Sequence, residues 1–196
     1  MTYPDITLLP QLAAYFNITI DDLLGYEPQM SKAEIQKCYT QLAKGFAVLP
    51  FQEVLEHCRK LIKKYYSCYP LVFHMGVLLV NHAMLAEKPE DIMEVLEEAK
   101  ALFSHVKTRA EEPELGKNAL QMEAYCLLAL KRPSEVLDFL EEDSFSVGPM
   151  EPLLASAYQM LGNTKEARRV LQIGIYKEVI SLCNLLASYM NLPWKH

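Results

Sequence analysis

Apolar residues recur along this chain at helical spacing almost from end to end. At the start, Ile6, Leu9, Leu12, Ala13 and Phe16 mark one face of an amphipathic helix entered through Pro4 and Asp5, and Asn17 interrupts it. Thr19 is placed to cap a second short helix, with Asp22 three residues on, an apolar face at Ile20, Leu23 and Leu24, and Gly25 as its stop. A linker from Tyr26 to Met30 leads to Ser31 and Glu34, whose spacing is that of a capping box. The helix they open carries Ile35, Cys38, Tyr39, Leu42, Ala43 and Phe46 on one face and ends at Pro50. The next, from about Phe51, turns Val54, Leu55, Cys58, Leu61, Ile62, Tyr65 and Tyr66 inward, and Glu53, Glu56, Arg59, Lys60, Lys63 and Lys64 outward.

Pro70 resets the pattern. From Leu71 to Ala86 the chain is so apolar that cover on more than one side is expected. Pro89 opens a partner helix, acidic in its first turn, with a stripe at Ile92, Val95, Leu96, Ala99, Leu102, Phe103 and Val106. After a polar loop, Thr108 to Pro113, come a helix from Glu114 to about Leu130, a turn at Arg132 and Pro133, a shorter helix from Ser134 to Glu142, and a loop from Asp143 to Pro149. A helical pair begins at Met150. A last helix, roughly Lys177 to Met190, is expected to turn Ile180, Cys183, Leu186, Ala187 and Met190 inward. It reads either as the cap of an array or as a helix followed by further repeats, and its apolar composition favours the second.

Leu154, Ala155, Tyr158, Gly162, Ala167, Leu171 and Gly174 resemble the tetratricopeptide pattern, in which small residues let paired helices approach and large ones fill the space between neighbours. Laying Leu161 over Leu130, a shift of 31 residues, also places Ala155 on Ala124, Glu166 on Glu135 and Leu171 on Leu140. Pro133 falls on Pro89 at a shift of 44. The repetition is degenerate, since the earlier pairs lack the small residues. The fold expected is all-α: a right-handed superhelical array of antiparallel, tetratricopeptide-like helix pairs over residues 28–196, preceded by two short helices within 1–27.

Those first residues carry a second resemblance. Pro4-Asp5, Leu12-Ala13, Phe16 and the run from Asn17 to Leu24 resemble the closing segment of Xre-type, lambda-repressor-like helix-turn-helix domains, over about an eighth of the chain. In that family the matching helices are the fourth and fifth, behind the two that meet DNA. The resemblance implies the regulatory part of a DNA-binding protein, with contact to DNA only through three helices missing ahead of Met1.

Seven glycines among 196 residues, with few β-branched runs, favour helices throughout. A net charge of −6 makes this stretch a poor match for the phosphates of duplex DNA. The chain has no uninterrupted apolar run of about 18 residues and no basic, then apolar N-terminus, so a cytoplasmic protein with no membrane partner is expected. Cys38, Cys58, Cys68, Cys126 and Cys183 form no CxxC pair and read as free thiols, and His57, Cys58 and Cys68 match no zinc spacing. His57, His74, His82, His105 and His196 have no ligand spacing either, though His74 and His82, two turns apart, could share a groove. Adjacent carboxylates such as Glu97-Glu98 and Glu111-Glu112 diverge around a helix and cannot share a proton. No catalytic cluster, metal site or cofactor is indicated, and the chain is not expected to be an enzyme.

In tetratricopeptide arrays the first helix of each pair lines a concave groove. The resemblance implies groove positions at His74 and Asn81, at Asn118, Gln121 and Tyr125, and at Ser156 and Gln159. Amide side chains there offer donors and acceptors to the backbone of an extended peptide; alternatively these polar residues are simply solvated. The expected function is the regulatory and oligomerisation region of a bacterial transcriptional regulator, taking a peptide, a small ligand or a protein partner in the groove and forming a homodimer. The alternative is a constitutive protein-interaction scaffold with no role on DNA.

Overall fold

The computed structural model describes residues 6–16, 20, 29–142 and 150–192, and all regular structure among them is helical. A 3-10 turn, Ile6–Leu8, leads into α1, Leu9–Phe16. The helices that follow are α2, Lys32–Val48; α3, Phe51–Lys64; α4, Tyr69–His82 with a 3-10 turn at Ala83–Leu85; and α5, Pro89–Arg109. Then come α6, Pro113–Ala129; α7, Pro133–Glu142; α8, Glu151–Met160; and α9, Thr164–Met190. The chain divides inside α5 into two compact units, Met1–Ile92 and Met93–His196. The second short helix read between Thr19 and Gly25, and the loop from Asp143 to Pro149, lie outside the described residues.

In the first unit, α2, α3 and α4 pack on one another. Ser31 starts α2 as its spacing predicts: its hydroxyl accepts from the Glu34 amide at 3.4 Å, and the Glu34 carboxylate accepts from the Ser31 amide at 2.8 Å. The core is built from Ile35 and Phe46 of α2, Val54, Leu55, Cys58 and Ile62 of α3, and Leu71, Val72, Met75, Leu78 and Leu79 of α4. The faces read from periodicity hold, except that Tyr66, just past the end of α3, is 48% exposed. α4 is covered on nearly all sides, and only His74 and Asn81 stand exposed on it. The face expected of α1 is not buried: Ala13 is covered, but Ile6, Leu12 and Phe16 are exposed.

In the second unit, α6 packs on α7 and α8, α8 on α7, and α9 on α8. Ala124, Leu127, Val136 and Ala157 form its core, with Leu128, Leu137, Phe139, Leu140 and Leu153 against it. Two successive hairpins repeat here in detail. α6 is capped at Leu130 and α8 at Leu161, 31 residues apart, and each cap is followed by a residue of positive φ: Lys131 at 59° and Gly162 at 77°. Arg132 N donates to Leu127 O and Lys131 N to Leu128 O; Asn163 N donates to Tyr158 O and Gly162 N to Gln159 O. This is the same left-handed helix stop used twice. The fourth residue after each positive-φ position then completes the next start, Glu135 pairing with Arg132 and the Glu166 amide donating to the Asn163 side chain.

α9 departs from the expected arrangement. The sequence predicts a separate last helix from about Lys177, whereas one helix runs from Thr164 to Met190. Gly174 acts as a point of close approach: a Cβ there would meet Glu151 Cβ at 3.0 Å. Lys177 Nζ then reaches Glu151 Oε1 at 2.7 Å, which closes the contact with α8. Beyond it no described residue covers the helix. Ile180, Cys183, Leu186, Ala187 and Met190, predicted inward, are all exposed. The reason is length: ten residues of α8 span about 15 Å, and twenty-seven residues of α9 span about 40 Å. By length and composition α9 is also able to cross a membrane, with an 18-residue window of mean hydropathy 1.4, which the uninterrupted-run criterion overlooked.

Candidate functional site

The positions implied for a groove fall in two places, one in each unit. On α4, His74 and Asn81 are seven residues apart and so about 10.5 Å along one side of the helix. Both reach Tyr39 of α2. Asn81 Nδ2 donates to the Tyr39 hydroxyl at 3.3 Å, and the Tyr39 ring stands edge-on to the His74 ring with centroids 6.4 Å apart. His74 Nδ1 lies 2.7 Å from Pro70 O, and since a carbonyl only accepts, Nδ1 donates there and Nε2 is left for another partner. Asn81 keeps its carbonyl oxygen and one amide hydrogen, and Tyr39 its hydroxyl hydrogen. The trio therefore presents acceptors and donors side by side on an otherwise buried helix. His82 does not join it: its ring stacks on Phe46 at 4.5 Å, and Nδ1 turns to Leu78 O at 2.8 Å.

In the second unit, Asn118, Gln121 and Tyr125 follow one side of α6, and Ser156 and Gln159 lie on α8, which packs against it. Asn118, Tyr125, Ser156 and Gln159 are exposed, and Gln121 is half-buried. The Ser156 hydroxyl donates to Pro152 O at 2.8 Å, so it is partly spent on its own helix. The other four make no side-chain hydrogen bond among the described residues. They form a row of free polar groups, with no cluster comparable to the trio on α4.

The opposite side of α6 carries a charged cleft of about 300 Å³ lined by Lys100, Glu123, Leu127, Glu135, Asp138 and Phe139. Glu123 is 8% exposed, the one buried charged residue among the described residues. Its Oε2 lies 3.0 Å from Lys107 Nζ without an aligned hydrogen bond, and that ammonium sits 3.9 Å above the centre of the Phe139 ring. A second network closes the rim. Arg132 bonds Glu97 at 2.8 Å and grips Glu135, while Lys100 holds Glu97 at 2.6 Å. The Lys100 hydrogen bond, helped by Arg132, holds the Glu97 carboxyl below the usual range. Arg132 does the same to Glu135, and Glu135 in turn raises the guanidinium. Burial, with the Glu123 charge behind it, pushes the Cys126 thiol up to about 12, so it stays protonated and unreactive. Most of these charges neutralise one another, which is the behaviour of an internal brace.

No group of three or more His, Cys, Asp or Glu with metal-holding geometry occurs among the described residues. Reading from the sequence missed Tyr39, Lys107 and Glu123. Tyr39 sat on the apolar face of α2, where its hydroxyl gave no signal. Glu123 did leave one, a carboxylate in register with the buried Ala119, Leu120, Ala124 and Leu127. Comparison of the chain with protein-family models, with curated proteins and with solved structures finds no match.

Proposed function

We propose that this chain is the regulatory and oligomerisation region of a bacterial transcriptional regulator that binds an extended peptide on the exposed polar positions of its first-of-pair helices. In this reading the helix pairs are tetratricopeptide-like and form a right-handed array, the protein acts in the cytoplasm, and DNA is met through helices N-terminal to the Tyr3 to Gly25 segment. The observation that carries the peptide reading is the trio on α4. On a helix otherwise buried or half-buried, only His74 and Asn81 are exposed, and both lean on Tyr39. Their separation of about 10.5 Å matches about three residues of an extended chain, so one peptide can use both. The 31-residue recurrence of the helix stops supports the repeat reading, and the exposed face of α1 is consistent with a neighbouring helix-turn-helix core.

The test is thermal stability of the full chain with a pool of short unstructured peptides. A peptide at 100 times its dissociation constant stabilises by about 2.7 kcal/mol. The expected result is a rise in Tm that is lost in His74→Ala/Asn81→Ala. A partner retained equally by that double variant and by the natural chain, with no response to peptides, would instead establish a constitutive scaffold.

A further inference from the structure

We infer that the part of α9 beyond Lys177 is a docking surface for the same segment of a second copy, laid antiparallel across a two-fold axis near Asn184. From Glu178 to Met190 the helix overhangs α8 by about 20 Å and is solvent-exposed throughout. Val179, Leu182, Leu186 and Tyr189 recur at spacings of three, four and three, the seam of a two-helix coil, and each is at least half exposed. Seven uncovered apolar side chains on and beside this seam, from Val179 to Leu192, at roughly 200 Å² each and 50% to 75% exposed, leave on the order of 800 Å², against about 800 Å² per partner in a standard interface.

The register follows from the seam. Antiparallel pairing that sets Leu182 against Leu186 of the second copy also sets Val179 against its Tyr189, giving four apolar layers symmetric about Asn184. The positions flanking the seam then meet their own equivalents. Cys183 faces Cys183 of the second copy on one side, and Leu185 faces Leu185 on the other, so the breadth of the apolar face has a use. Antiparallel helix dipoles oppose head to tail, which favours the same arrangement. The interface is self-complementary and closes at two chains. A bilayer fits less well: the overhang is about 10 Å short of the roughly 30 Å hydrocarbon core, and the Lys177–Glu151 bridge ties the preceding turn to α8. This inference rests on α9 alone and stands whether or not the groove takes a peptide.

The experiment uses the full chain at about 10 µM. Light scattering is expected to give the mass of two chains for the natural protein and of one for Leu182→Glu. Leu182 is already 55% exposed, so the helical circular dichroism should be unchanged, and association is expected to weaken on the order of 100-fold. Mild oxidation should link the natural protein through Cys183, and Cys183→Ser and Leu182→Glu should both abolish the linked band. A natural chain that is monomeric at 100 µM overturns the inference. So does a dimer indifferent to Leu182→Glu, or a monomer that floats with phosphatidylcholine and phosphatidylglycerol vesicles and ceases to do so in that variant.

Discussion

Replacing Lys107 by Met is expected to cost the second unit more stability than replacing Glu123 by Gln, although each change breaks the same pair. The two partners are unequally placed. The Glu123 side chain is 10% exposed and its Oε2 is shut off from water, whereas the Lys107 side chain is 26% exposed. Without Lys107 the carboxylate stays buried and loses the charge it is paired with. Orphaning a fully buried charge costs about 3 to 5 kcal/mol, and the partial access on the lysine side reduces this to about 2 to 3. The lost contact of the ammonium with the Phe139 ring, about 0.5 to 1 kcal/mol, is largely offset because a methionine sulfur also packs well on an aromatic ring. Glu123→Gln removes the charge but keeps an amide able to hydrogen-bond, and leaves Lys107 on its ring with water in reach, for about 1 kcal/mol. The double variant Lys107→Met/Glu123→Leu should return to within about 1 kcal/mol of the natural protein, since an apolar pair of similar volume needs no desolvation. Urea unfolding followed by far-ultraviolet circular dichroism measures all four proteins. Equal single costs, or a double variant that loses the sum of the two, would refute the argument that the buried carboxylate sets the asymmetry.

Acid should unfold the protein partly through Glu97, Glu135 and Glu151, each held below the usual carboxylate range by Lys100, Arg132 and Lys177 respectively. A depressed folded pKa contributes stability that is present above the unfolded value and lost as pH falls through the folded one, so Tm should drop between about pH 5 and pH 3, less steeply in Glu97→Gln/Glu135→Gln and in high salt. At pH 8 a thiol reagent should label exposed Cys183 in the native protein and reach Cys126, buried and pushed up to about 12, only after denaturation; prompt native labelling of both would contradict the burial. Lys131→Gly should stabilise by up to about 1 kcal/mol and Gly162→Ala should destabilise by about as much, because both sites hold the left-handed conformation; opposite signs in thermal unfolding would show that side-chain contacts outweigh the backbone there.

Much of the helical order was legible because the signals were local. Ser31 with Glu34, Pro89 and Pro133 marked helix starts within a residue or two, and the stripes of α2, α3 and α5 named their buried residues because a helix with one apolar stripe has one way to face a core. The site was legible only in part. His74 and Asn81 stood out as polar residues in an apolar helix, but Tyr39, which links them, lies 42 residues from Asn81 and was indistinguishable from a core aromatic. Lys107 and Glu123 likewise meet only through the packing of α5 against α6. Periodicity ranks positions around one helix and carries no information about which helix comes to cover them.

That distinction accounts for the misreading of α9. Gly162 and Gly174 read alike in the sequence, as small residues of a repeat. Gly162 does end a helix, at positive φ, and Asn163 and Glu166 directly after it provide the next cap. Gly174 is followed by Ile175 and Tyr176, neither of which can cap, so the helix had no local reason to stop. Its glycine instead permits the contact with Glu151. An inward face was then assigned to Ile180, Leu186 and Met190 on the assumption that an apolar stripe implies a neighbour in the same chain. Ten residues of α8 cannot cover twenty-seven of α9, so Val179, Leu182, Leu186 and Tyr189 stand exposed along an overhang that no described residue covers.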